Sequence, residues 1–251
     1  MNKEPLGVLI LHGFTASLDC VRGVASALEP LGLPTRMPVL RGHGAESPEA
    51  LRAVTWQDWV ADGEAAFRDL LTEVEHVIVF GHSMGGLVAL TLAADYGDLI
   101  DSLVVAAAAV QLTSPLAPGR PFYVLAPLVG RLLDRIDVPP VYAVPALALQ
   151  DTNYAWAPSD AILSLLAFSK RTRQRLSEVG VPTLILQSRK DSTVAPESAE
   201  IIYEGIATPP TQKQIIWFEE TEHEMFRDCE REAACAAVAS WVEERSRRVH
   251  L

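Results

Sequence analysis

Basic residues are scarce in this chain. Lysine and arginine number 21 against 32 aspartates and glutamates, a formal net charge of -11 over 251 residues. A field of that sign repels phosphate backbones and acidic lipid headgroups, so nucleic acid is not an expected partner. A neutral or cationic substrate is compatible with it. Cysteine is scarcer still, with Cys20, Cys229 and Cys235 only. An odd count without CxxC or metal-like spacing argues against a disulfide framework and fits idle thiols in a reducing cytoplasm. Long hydrophobic runs are missing too. Leu6 to Leu11 is too short to span a bilayer, and His12-Gly13 interrupts it. Asn2-Lys3-Glu4 ahead of that run does not make a secretory leader. The expectation is a cytoplasmic protein without stable membrane insertion. No repeat or low-complexity tract is evident. Apolar residues, by contrast, make up 49% of the chain, which excludes a disordered polymer and suits one globular domain.

Those apolar residues fall in short runs separated by helical stretches. Gly7 to Leu11, Val77 to Phe80, Leu103 to Ala107, Thr183 to Gln187 and Gln214 to Phe218 read as strands covered on both faces. Thr35 to Val39 reads as a further strand. Thr55-Trp56-Gln57-Asp58 has the form of a capping box. Trp56, Trp59, Val60, Gly63, Phe67, Leu70 and Leu71 follow at helical spacing, with the tryptophans as core anchors. Met84 to Ala94 reads as a helix that is apolar nearly all round. Asp228 to Arg248 reads as a helix with a stripe of Ala234, Ala237, Val238, Trp241 and Val242. Strand-helix alternation of this kind predicts an α/β fold with a mainly parallel, doubly wound sheet.

Between Val110 and Gly180 the rhythm breaks. This segment holds eight prolines and no obvious sheet strand, yet it is rich in apolar side chains. A structureless loop of that length is improbable in a compact domain. We therefore expect residues 1–110 and 180–251 to form the core and residues 111–179 an inserted helical cap.

The chemistry concentrates at Gly81-His82-Ser83-Met84-Gly85-Gly86, between a strand and an apolar helix. A serine on such a turn needs a strained backbone and small neighbours, which glycines two before and two after it supply. Its hydroxyl needs a base, and the base needs an orienting acid. On a sheet of this kind the acid and then the base follow the nucleophile along the chain. Asp191 lies in the loop after Thr183 to Gln187, and His223 in the loop after Gln214 to Phe218. The catalytic candidates are thus Ser83, Asp191 and His223. The bland alternatives are a solvated loop acid and a surface histidine among glutamates. The rival histidines fit worse. His76 is placed just before a strand at the wrong end of the sheet, and His250 in the tail. His82 lies inside the turn, where it shapes the surroundings of the serine. His12 and His43 precede the serine in the chain, and His43 reads as the support of a structural turn at Arg41-Gly42-His43-Gly44. An oxyanion needs preorganised N–H donors, expected from Phe14 and Met84, which then also touch the substrate.

These stretches together resemble the α/β-hydrolase superfamily, and within it the small bacterial carboxylesterases and monoacylglycerol lipases. The matching residues are Leu11-His12-Gly13-Phe14-Thr15, Arg41-Gly42-His43-Gly44, Asp58-Trp59, Gly81 to Gly86, Ser198 to Tyr203, and the loops of Asp191 and His223. The resemblance implies the α/β-hydrolase fold, with nucleophile Ser83, acid Asp191, base His223 and oxyanion amides on Phe14 and Met84. It also implies a lid over an acyl pocket, an ester or monoacylglycerol substrate of short to medium chain, no cofactor and no metal. Only six residues precede the first strand, so the sheet is expected to lack one or two leading strands. The cap matches relatives least well, which leaves the substrate open. A thioesterase, an amidase or a carbon–carbon bond hydrolase could use the same triad, and a non-catalytic receptor could use the same fold. A haloalkane dehalogenase would need aspartate at position 83. Monomer and homodimer both stay open, as does a membrane-facing or dimer surface on the cap.

Overall fold

The structure is a computed structural model and describes residues 3–249. His250 lies outside the described residues. The central sheet contains β1 (Glu4–Leu11), β2 (Thr35–Arg36), β3 (Val74–His82), β4 (Ile100–Ala106), β7 (Thr183–Ser188) and β8 (Lys213–Phe218). A separate pair, β5 (Arg135–Asp137) and β6 (Trp156–Pro158), lies between β4 and β7 in the chain. The sheet order is β2-β1-β3-β4-β7-β8, with every pairing parallel. The helices are α1 (Asp19–Leu28), α2 (Trp56–Leu70), α3 (Met84–Tyr96), α4 (Ala126–Leu132), α5 (Ser159–Gln174), α6 (Glu197–Gly205) and α7 (Arg231–Val249).

Alternation along the strands divides the core between two faces. Leu9, Leu11, Val77, Val79, Leu103 and Val105 pack with Trp59, Phe67 and Leu70 of α2 and Leu87 and Val88 of α3. Val8, Ile10, Ile78, Phe80, Val104 and Ala106 pack with Val21 and Val24 of α1 and Ala234, Val238 and Val242 of α7. Both faces being covered, the strands read as continuous apolar runs. The Thr55–Asp58 capping box is present at the start of α2.

Several expectations need correction. The strand foreseen at Thr35 to Val39 stops at Arg36, because β2 is an edge strand that pairs only with Val8 and Leu9. The helix foreseen from Asp228 begins at Arg231, because the Asp228 carboxylate is engaged with backbone N–H groups before it. His76 lies within β3 rather than before it, opposite Leu6, still at the strand's amino end.

Residues 111–179 contain α4, α5 and the antiparallel pair β5–β6, so this segment is not wholly helical. It is tied to the rest at several points. Trp56 of α2 stacks on Phe168 of α5, ring centroids 5.3 Å apart. The Tyr154 N–H donates to the Thr15 carbonyl at 2.9 Å, and Arg227 pairs with Asp151 at 2.9 Å.

The chain leaves β1 toward one edge and returns to β3 on the other side of β1. Such a reversal opens a crevice at the carboxyl ends of the strands, where α/β sheets bind ligands. The loop after β1 and the turn after β3 meet there.

Candidate active site

Ser83 occupies the turn between β3 and α3 with φ 54° and ψ -116°, a conformation that L residues rarely adopt. Its backbone is pinned from both sides. The Ser83 N–H donates to Ala106 O at 2.9 Å, and its carbonyl accepts from Gly86 N at 3.0 Å and Ala109 N at 3.2 Å. Glycines are mandatory around it. A Cβ on Gly81 would lie 2.2 Å from the Gly85 carbonyl oxygen, and one on Gly85 would lie 2.3 Å from the oxygen of Leu11.

The structure brings the three candidates from β3, β7 and β8 into one chain of hydrogen bonds. Ser83 Oγ is 3.0 Å from His223 Nε2, and His223 Nδ1 is 2.9 Å from Asp191 Oδ2. Asp191 is buried and fully engaged. Its Oδ1 accepts from the N–H groups of Thr193 and Val194, at 2.9 and 2.8 Å, and its Oδ2 also accepts from Gln187 Nε2 at 3.2 Å. Burial pulls His223 toward its neutral form, but the Asp191 charge and hydrogen bond outweigh burial and hold the imidazole up at about 9.

The loop carrying His223 is held from below. Asp228 accepts from the N–H groups of Ala143, Glu222 and Cys229 at 2.7, 2.9 and 2.8 Å, and from Val144 at 3.2 Å. Glu230 Oε2 accepts from the N–H groups of Glu220 and Thr221. His82 Nε2 donates to the His223 carbonyl at 3.1 Å, a strut between the Ser83 turn and the His223 loop.

Of the two residues expected to supply oxyanion donors, Phe14 lines the cavity over Ser83 and Met84 directly follows Ser83 in the chain. Met84 is the first residue of α3, so its N–H has no acceptor within the helix. Among the described residues no acceptor takes the Phe14 N–H. The neighbouring Thr15 N–H is already engaged, donating to His43 Nε2 at 3.1 Å. His12 Nε2 accepts from Leu40 N–H at 3.0 Å. Burial holds His12 at about 4 and His43 at about 3, so both stay neutral and serve as acceptors that shape this loop.

A cavity of about 410 Å³ opens over Ser83 and His223. Its wall is mostly apolar, with Leu112, Leu116, Val129, Leu163 and Leu166 contributed by residues 111–179. Asn153 and Glu224 are among the polar residues of that wall that sequence reasoning missed. Glu224 lay hidden among other glutamates, although its place directly after His223 was a usable signal. Among the described residues, no group of three or more His, Cys, Asp and Glu side chains could hold a metal ion. No helix among them is long and apolar enough to cross a membrane.

The sequence model of a family described as serine aminopeptidase, S33, matches residues 4–230. The chain belongs to this family of α/β hydrolases. It is 29% identical over 224 residues to a protein of Bacillus sp. (strain H-257) named thermostable monoacylglycerol lipase, covering 88% of this chain and 84% of that one. A carboxylesterase of Bacillus subtilis (strain 168) is 26% identical over 244 residues, covering 94% and 92%. Among solved structures, a metagenome-derived lipolytic enzyme superposes with a TM-score of 0.86 at 27% identity, covering 96% of this hydrolase and 95% of that chain. The monoacylglycerol lipase of Paleococcus ferrophilus shares the fold at a TM-score of 0.79 and 19% identity, covering 97% and 96%.

Proposed function

We propose that this α/β hydrolase is a serine esterase of the carboxylesterase and monoacylglycerol lipase type, cleaving short- to medium-chain carboxylic esters through an acyl-enzyme. The observation that carries the reading is the unbroken chain Ser83–His223–Asp191, at 3.0 and 2.9 Å, facing a largely apolar cavity. The names of its relatives support the ester bond as target.

In this reading the neutral His223 takes the Ser83 proton at Nε2 as Oγ attacks the ester carbonyl carbon. The N–H groups of Phe14 and Met84 stabilise the oxyanion. His223 then returns the proton to the leaving alcohol oxygen, and the C–O bond breaks. Water, deprotonated by the same imidazole, attacks the acyl-enzyme and releases the acid. Asp191 keeps Nδ1 protonated and stabilises the imidazolium. Residues 111–179 act as the cap that encloses the acyl chain, over a core of residues 1–110 and 180–251. The three cysteines, all unpaired, suit a cytoplasmic enzyme.

The test is a kinetic panel of aryl esters, monoacylglycerols, acyl thioesters and amides of graded chain length. Ser83→Ala serves as the blank. We expect esters to lead the panel and Ser83→Ala to lose at least about a thousandfold in kcat. Wild-type ester hydrolysis by Ser83→Ala would overturn the reading, and a thioester optimum would redirect it.

A further inference from the structure

Beside His223 lies a second buried acid for which the triad has no use. Glu224 is only 7% exposed and lines the same cavity as Ser83 and His223. Its Oε1 accepts from Asn153 Nδ2 at 3.0 Å. Its Oε2 is buried and has no hydrogen-bond partner among the described residues. Asn153 cannot turn to help, because its own Oδ1 accepts from the Ser17 N–H at 3.2 Å.

A buried carboxyl oxygen without a donor costs stability, and an apolar side chain in its place would avoid that cost. Burial is accordingly the main cause that pushes this carboxyl up, to about 7. Asp151 and Asp191 add to the rise, and His223 and Arg227 oppose it. A group kept at such a cost inside a ligand cavity is a candidate for recognition. The rest of the wall points the same way. Its ionisable side chains are Asp137, His223 and Glu224, and no lysine or arginine lines it. With His223 neutral, as the reaction requires, the cavity therefore offers hydrogen-bond acceptors and negative charge to whatever enters. The acyl tail belongs against the leucines. His223 has to reach the leaving oxygen, so its immediate neighbour belongs to the alcohol side.

We propose that Glu224 determines specificity: its free Oε2 accepts a hydrogen bond from an O–H or N–H donor on the leaving-group side of the scissile ester. The proposal rests on the serine esterase reading. It makes the substrate an ester whose alcohol carries a hydroxyl or an ammonium group within reach of the ester oxygen. A plain alkyl alcohol leaves Oε2 unpartnered, and an anionic one meets like charge.

Three esters of one acyl chain test this: the ethyl, 2-hydroxyethyl and 2-(dimethylamino)ethyl esters. They are compared on the wild type, Glu224→Gln and Glu224→Met. The quantity read is the kcat/KM of each donor-bearing ester divided by that of the ethyl ester. A general loss of activity cancels in this ratio. In the wild type at least one ratio is expected to reach about tenfold, and Glu224→Met is expected to bring it close to one. Glu224→Gln retains an acceptor oxygen but no charge, so it separates the two donors. An ammonium preference collapses in this variant, whereas a hydroxyl preference partly survives. Wild-type ratios near one, or a preference that outlasts Glu224→Met, would overturn the proposal. If Glu224→Met does not fold, an undiminished ammonium ratio or a fully intact hydroxyl ratio in Glu224→Gln does so instead. Failure to hydrolyse any of the three above the Ser83→Ala blank overturns the esterase reading itself, and this proposal with it.

Discussion

His223 is pulled in opposite directions. Burial favours the neutral ring, and the Asp191 carboxylate favours the charged one and wins, holding the group near 9 against an ordinary 6.5. Only the neutral ring can accept the Ser83 proton. The kcat/KM for an uncharged ester is therefore expected to rise with pH along a limb above 6.5. Asp191→Asn removes the upward cause, so it should move that limb down and lower kcat by roughly 10⁴-fold. A wild-type limb at or below 6.5 in the pH–rate profile would contradict this. The same shift bears on stability. A raised imidazole stabilises the fold fully below pH 6.5, and that contribution fades as pH rises through 9. Glu224 follows its own rule. The folded carboxyl binds its proton more tightly than an unfolded one at 4.5, so its burial costs progressively more from pH 4.5 to 7. Glu224→Gln should thus raise the thermal midpoint by several degrees near pH 8 and by little near pH 4. An equal gain at both pH values would contradict it.

At the scale of elements, the turn between β3 and α3 stores strain in Ser83 itself. Ser83→Gly removes the Cβ that φ 54° disfavours and should raise stability by about 1–3 kcal/mol, read from urea unfolding, while abolishing turnover. Gly85→Ala should do the reverse, since its Cβ would press on the Leu11 backbone, and soluble yield and urea midpoint should both fall. The elements were legible in the sequence where one physical signal dominated. The five longer strands announced themselves as apolar runs, α2 by its capping box, and the serine turn by its glycines. The losses have equally specific causes. Arg135-Ile136-Asp137 and Trp156-Ala157-Pro158 pair over three residues each, too briefly for any alternation to register. Among Glu219, Glu220, Glu222 and Glu224 only the last is buried, and its burial comes from contacts with Asn153 far away in sequence. Residues near in space but distant in the chain leave no trace in local pattern.

The whole molecule carries a net charge of -11, and its cavity wall adds no lysine or arginine to offset it. Electrostatic steering should therefore show in the salt dependence of kcat/KM. Raising ionic strength from about 0.01 M to 0.15 M shortens the screening length from roughly 30 Å to 8 Å. The rate should fall for a cationic ester, rise for an anionic one and hold nearly constant for a neutral one. A common slope for all three would show that the field plays no part in encounter.

Ser83 and Phe14 follow neighbouring strands early in the chain, whereas Asp191 and His223 follow β7 and β8 near its end. Between them β4 supplies the Ala106 carbonyl that braces Ser83. The reactive centre is a seam, and residues 111–179 are the thread that joins its two sides. Cut within that thread, one fragment would hold the proposed nucleophile without its base and the other the proposed base without its nucleophile. Neither could turn over an ester alone. Hydrolysis on mixing two separately made fragments would count only rejoined molecules, so this hydrolase could report its own assembly.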